Sequence, residues 1–286
     1  MKRAKLTFLS AMGIFGTIGL FVRLIPLPSA TIAFYRSVIG CLFLLAITLI
    51  GRKKFNWQAI KQHLTILVIS GVAIGTNWIL LFESYRHTTV ATATVCYYLA
   101  PLLLLIATAF LGEKLTKKRV ICISVALIGL ICIADPFTNG LPKANELKGI
   151  AFGIGAAVLY AFVMLMNKQL SAVPAYDKTI LQLSSAAIII LPYLLLSGES
   201  LLPQMQTGPW ILMLVVGIVH TGIAYTLYFG SFKNLSSQTI AVFCYLDPLL
   251  AILLSAVFLK EPMSPANIVG TILILGSALY SELPDK

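Results

Sequence analysis

Asp247 and His220 each stand about ten residues inside an apolar run, where an ionisable side chain is hardest to accommodate. If those runs cross a bilayer as helices, both residues lie roughly 15 Å deep. At the bilayer centre a charged side chain costs about 2.5 to 3.5 kcal/mol. Two kinds of chemistry account for such placement. The carboxylate or imidazole titrates during a working cycle or binds an amino group. Alternatively, Asp247 accepts a hydrogen bond beside a backbone break at Pro248, and His220 makes a neutral interhelical bond. Arg36 differs, because it lies about 9 Å from one boundary and its stem can carry the charge outward. It pairs there with loop carbonyls or with Glu83, or it binds a substrate carboxylate.

Aromatic residues flank these groups. Trp78, Tyr98, Tyr225, Tyr228, Phe243 and Tyr245 are candidates for lining or gating a passage, since a ring closes an apolar constriction while its hydroxyl or indole N–H touches a solute. Ordinary interhelical packing is the alternative. His220, Ala224 and Tyr228 share one helical face at four-residue spacing. Pro101 and Pro248 each remove a backbone donor, so a bend is expected at both, either as a hinge or as a static kink. Asn77 and Gln182 are suited to bond a solute or a neighbouring helix. Gly71 with Gly75 and Gly149 with Gly153 permit close helix contact. Glu113 and Glu261 read as solvated helix ends beside basic residues.

The elements that must position these side chains follow from composition. The chain has 286 residues, 59% hydrophobic and only 11% charged, with a mean hydropathy of +0.94. No globule of this size hides so much apolar surface from water, so lipid is the expected solvent. The net charge of +11 does not indicate nucleic acid, because the basic residues cluster between apolar runs instead of along one face. The five cysteines fall within apolar runs without CxxC pairing, which argues against disulfides and zinc. The basic N-terminus outlines a signal peptide, but the length of the run behind it favours an uncleaved first helix.

Ten runs have the length of a spanning helix: 5–24, 30–50, 64–82, 89–111, 118–134, 148–168, 178–197, 210–229, 237–259 and 264–282. Lys and Arg accumulate at Lys2, Arg3 and Lys5, at Arg52, Lys53 and Lys54, and at Lys114, Lys117, Lys118 and Arg119, with Arg23, Arg86, Lys143, Lys148 and Lys260 on the other side. This bias places both termini in the cytoplasm. Shifting the sequence by 147 positions lays Gly75–Leu103 over Gly222–Leu250 without a gap, pairing Ser84 with Ser231, Thr92 with Thr239, Tyr98 with Tyr245 and Pro101 with Pro248. Apolar composition alone does not align Ser, Thr, Tyr and Pro in register. The expected fold is therefore an all-α membrane protein of ten transmembrane helices in two five-helix repeats, 1–140 and 141–286. An odd number of helices per repeat inverts the second copy, so Trp78 and Tyr98 are expected nearer the outside than their partners Tyr225 and Tyr245.

The chain resembles the EamA family of the drug/metabolite transporter superfamily. The residues that carry the likeness are Phe-Tyr-Arg36, the Tyr-Leu-Ala-Pro101 and Tyr-Leu-Asp-Pro248 turns, and the Leu-Gly-Glu113 and Leu-Lys-Glu261 exits. Phe15-Gly16 replaces a Trp-Gly frequent in the family. The resemblance implies a bacterial inner-membrane exporter or exchanger of amino acids or other small metabolites. Alternating access around a midplane site is the expected mechanism, with proton coupling open and a monomer compatible. Amino acids suit Asp247 and the aromatics; cationic drugs and quaternary ammonium compounds suit them too, and organic anions fit poorly if no Lys or Arg reaches the midplane. A channel remains a rival. No HExxH, activated nucleophile or phosphate loop is found, so neither an enzyme nor a cofactor is expected.

Overall fold

The computed structural model describes residues 2–110, 116–134, 143–170, 172–196, 206–231, 243 and 246–283. Regular structure among them is helical. Six helices are long and apolar enough to cross a membrane: Ala4–Leu24, Ser29–Ile50, Leu64–His87, Ala144–Asn167, Ala175–Leu196 and Thr207–Tyr228. Shorter apolar helices lie at Val90–Leu104, Val120–Gly129, Leu246–Phe258 and Pro265–Ser277. Large apolar side chains cover the periphery, with Leu196 88% and Ile50 83% exposed, a surface that suits lipid and not water.

The first part of the chain forms α1 (Lys2–Leu24), α2 (Ser29–Ile50), a short α3 (Trp57–Gln62), α4 (Leu64–His87), α5 (Val90–Tyr97), α6 (Ala100–Phe110) and α7 (Lys117–Ala134). The second forms α8 (Ala144–Gln169), α9 (Ala175–Leu196), α10 (Thr207–Val215), a π-helical segment (Val216–Ile223), α11 (Ala224–Ser231), α12 (Leu246–Phe258) and α13 (Pro265–Glu282). The expected run 64–82 extends to His87. The expected run 89–111 is not one helix: it breaks at Tyr98–Leu99, and Pro101 falls in the first turn of α6. That position suits proline, whose missing N–H is not called upon in an opening turn. Pro248 likewise sits in the first turn of α12. A third proline, Pro192, lies inside α9.

The helices cross the two halves of the sequence. α4 packs on α8 and α9, α2 on α9 and the π segment, α1 on α11 and α12, and α7 on α13. Small residues make the crossings close. A Cβ on Gly71 would stand 2.5 Å from the Gln182 carbonyl oxygen, and one on Gly149 would stand 2.8 Å from the Thr88 side chain. Without water to release between apolar helices in lipid, such close backbone packing is the main source of cohesion.

Candidate functional site

α1, α2, α4, α5, the π segment with α11, and α12 converge on a layer of aromatic and polar side chains. Arg36 is its unexpected centre. Eight residues into α2, it is only 3% exposed, so its stem does not carry the charge to a surface. Arg36 Nε donates to Thr221 Oγ1 at 2.8 Å. Its guanidinium lies 3.9 Å above the Trp78 ring and 5.8 Å from Phe82, a stacked geometry that a weakly hydrated planar cation tolerates better than an ammonium would. The expected pairing with Glu83 does not form. Glu83 instead lies 3.5 Å from His87 on its own helix, and no carboxylate among the described residues pairs with Arg36. An arginine therefore enters the protein interior, which its place near the end of α2 does not announce.

Asp247 forms the opposite pole. Tyr98 donates its hydroxyl to Asp247 Oδ2 at 2.6 Å, so the residue that ends α5 meets the first turn of α12. The backbone here is set by Gly16 of α1, where a Cβ would approach the Asp247 carbonyl oxygen to 2.8 Å. Asp247 stands in the opening turn of α12, where the exposed N–H groups favour a carboxylate. The segment expected to precede it, 237–242, lies outside the described residues, as do Cys244, Tyr245 and Glu113.

Aromatic rings bridge the poles. Tyr85 stacks on Phe82 with centroids 6.3 Å apart, beside the Arg36 guanidinium. Trp78 and Tyr225 meet edge-on with centroids 6.4 Å apart. The sequence places Trp78 nearer the outside and Tyr225 nearer the cytoplasm; in the fold the two rings are in contact. Phe15 stands edge-on to Tyr225 at 5.4 Å and to Tyr228 at 5.8 Å. Phe15 is thus the ring that α1 contributes to this layer. Tyr97 packs against Tyr98 at 5.9 Å and stacks on Tyr160 at 5.0 Å.

The remaining candidates are mostly structural. Asn77 Nδ2 donates to the Ala156 carbonyl at 2.5 Å, while Tyr97 donates its hydroxyl to Asn77 Oδ1 at 3.4 Å, which ties α4 to α8. Gln182 donates to Ser70 Oγ at 2.8 Å. His220 is 1% exposed, with Nε2 2.8 Å from Thr17 Oγ1 and its ring 4.9 Å from Phe21. The face predicted from His220, Ala224 and Tyr228 is the one turned to α1. Tyr228 packs on Phe8, which also meets Phe243 at 6.4 Å. Glu261 is not a solvated end: its side chain is 9% exposed, Val90 N–H donates to Oε2 at 2.8 Å, and Arg23 lies 3.9 Å away.

Sequence reasoning missed Thr17, Thr221, Tyr85 and Tyr97. Thr221 had one available signal, its place beside His220. The π-helical segment that carries both has none in the sequence. Such an insertion shifts the helical register and recurs at functional sites. Among the described residues no group of His, Cys, Asp or Glu side chains could hold a metal ion.

Known proteins place this arrangement in a family. The model of the EamA-like transporter family matches residues 2–134 and 147–281. "Uncharacterized transporter YxxF" of Bacillus subtilis is 34% identical over 251 residues, covering 87% of this chain and 79% of the relative. Protein RarD of Escherichia coli is 25% identical over 271 residues, covering 91% and 87%. A crystal structure with 22% identity superposes at a TM-score of 0.66 over 98% of this chain and 96% of its own, a likeness of fold. With two stretches of the family model spanning nearly its whole length, this membrane protein belongs to the EamA-like transporter family.

Proposed function

We propose that the chain is a secondary transporter of small zwitterionic metabolites, amino acids foremost, by alternating access around the Arg36–Asp247 layer. The observation that carries this reading is the separation of a buried arginine from a half-buried carboxylate. Arg36 and Asp247 do not pair with each other among the described residues; Arg36 lies over Trp78, which meets Tyr225, and Asp247 is held by Tyr98. An α-carboxylate is suited to the arginine fork, and an α-ammonium is suited to Asp247. Trp78, Phe15, Tyr98 and Tyr225 would cover the side chain. A quaternary ammonium drug matches Asp247 and the rings but leaves Arg36 facing a second cation, which disfavours it.

The proposed frame is ten spans in two inverted five-helix repeats in the bacterial inner membrane, with both termini cytoplasmic. In such a frame the halves exchange roles about an axis in the membrane plane. The register of Tyr98–Pro101 with Tyr245–Pro248 supports it, as does the meeting of Tyr98 with Asp247. Asp247 is the candidate proton carrier; His220, packed between Thr17 and Phe21, reads better as a structural link. A monomer contains the whole proposed site.

Counterflow in proteoliposomes tests the proposal. Saturable exchange of a radiolabelled neutral amino acid, lost in Arg36→Gln and slowed in Asp247→Asn, is expected. Flux linear in concentration indicates a channel. Exchange of tetraphenylphosphonium with none of any amino acid would replace this substrate class by cationic drugs.

A further inference from the structure

A cavity of about 420 Å³ opens where α1 turns into α2, and it borders the Arg36–Asp247 layer through Phe82 and Tyr85. Its walls include Ile25, Ile32 and Phe82, and its polar groups are Ser29, Tyr85, Arg23 and Arg86. Ser29 is decisive. It is 1% exposed, it lines the cavity, and its Oγ has no hydrogen-bond partner. A buried hydroxyl without a partner costs about 1 to 3 kcal/mol, which a ligand oxygen would relieve.

The cavity is also electropositive. Ser29 opens α2, Pro28 provides no side-chain cap, and Ile32 N–H bonds back to the Pro28 carbonyl at 3.0 Å. The positive end of a 22-residue helix therefore faces the cavity without a capping side chain. Arg23 is partly compensated by Glu261 at 3.9 Å and donates to the Thr88 carbonyl at 3.3 Å. Arg86 donates from Nη1 to the Leu27 carbonyl at 3.4 Å, and no carboxylate among the described residues pairs with it; Glu83, one turn earlier, is matched with His87.

We infer that this cavity is a binding site for the oxyanion of an amphiphile, a carboxylate or a phosphate, held by Ser29 Oγ, the N-terminus of α2 and Arg86, with the ligand's apolar part against Ile25, Ile32 and Phe82. The site shares Phe82 and Tyr85 with the edge of the transport layer, but its oxyanion-holding groups, Ser29, Arg86 and the α2 N-terminus, are separate from Arg36 and Asp247. Its ligand chemistry comes from two sources, a free organic acid or an anionic lipid headgroup.

Exposed Pro26 at the rim provides the probe. Pro26→Cys in purified full-length protein in neutral detergent is modified with a sulfonatoethyl and a trimethylammonioethyl methanethiosulfonate, each rate divided by that on free 2-mercaptoethanol and corrected for the parent protein. The anionic reagent is expected to lead by about tenfold. Ser29→Ala and Arg86→Gln should each shrink that lead, while Arg86→Lys keeps most of it. Protection by phenylacetate and not by phenylacetamide supports a free carboxylate ligand. Slower modification in phosphatidylglycerol than in phosphatidylcholine nanodiscs, without phenylacetate protection, supports the site and assigns it to lipid. Equal rates for the two reagents would overturn the inference, as would an anionic preference that survives both Ser29→Ala and Arg86→Gln.

Discussion

Tyr98 and Asp247 are joined by a 2.6 Å hydrogen bond, and each belongs to one of the two sequence segments that align with each other. The repeated motif thus meets across the molecule, with a hydroxyl from one copy held by a carboxylate present only in the other. Tyr98→Phe leaves that carboxylate without its donor, a loss of about 1.5 to 3 kcal/mol for a bond to a charged group. The expected outcome is a lowered melting temperature in detergent and slower counterflow. Asp247→Asn should abolish any pH dependence of exchange, and an unchanged profile would remove Asp247 as the proton carrier.

Arg36 presents a sharper test because its geometry is planar. Arg36→Lys keeps the charge but loses both the fork and the stacking on Trp78. Under the proposed carboxylate contact, half-saturation should rise about tenfold or more for amino acids, corresponding to roughly 1.4 kcal/mol. Amino-acid amides, which lack the carboxylate, should lose nothing further. Equal losses for both ligands would mean that Arg36 serves only the fold.

Trp78 and Tyr225 are in ring contact, 6.4 Å between centroids. A double-mutant cycle with Trp78→Ala and Tyr225→Ala should give a coupling of about 0.5 to 1.5 kcal/mol in thermal stability. Additive effects would mean that the two rings act separately.

Gly71 should tolerate no side chain. With a Cβ 2.5 Å from the Gln182 carbonyl oxygen, Gly71→Val must separate α4 from α9. Overpacking of this kind costs about 1 to 3 kcal/mol. The melting temperature is expected to fall, whereas Gly208→Ala, with nothing within 4 Å of its Cβ, should leave it unchanged.

Glu261 supplies the pH-dependent case. Burial pushes its carboxyl above the usual glutamate value of 4.5, against the opposing pull of the Val90 N–H, Arg23 and the Ala91 N–H. A carboxyl raised in the folded state stabilises most below its unfolded pKa, and that contribution is lost as pH rises through the raised value. Glu261→Gln cannot titrate. The melting temperature of the parent minus that of Glu261→Gln should therefore be larger at about pH 4 than at about pH 7. The opposite slope would show that the ionised carboxylate is the favoured form.

The sequence determined by itself that the chain is apolar enough for lipid, roughly where most of its described helices run and which small residues let them touch. Those properties are local or additive: hydropathy sums along a run, and Gly71 and Gly149 announce close contact by their size alone. It also singled out Asp247, since a carboxylate in an apolar run stands out at any depth. Tertiary structure decided which polar groups meet. Arg36 looked free to reach a surface because sequence records only its distance from the end of α2; its stem instead turns inward to Thr221 and Trp78, from helices far along the chain. Trp78 and Tyr225 occupy matched positions in the alignment, which says nothing about how far apart folding leaves them. The π-helical turn at Val216–Ile223 and the break at Tyr98–Leu99 were equally invisible, because backbone irregularities in a membrane interior are settled by the neighbouring helices that satisfy the released hydrogen-bonding groups.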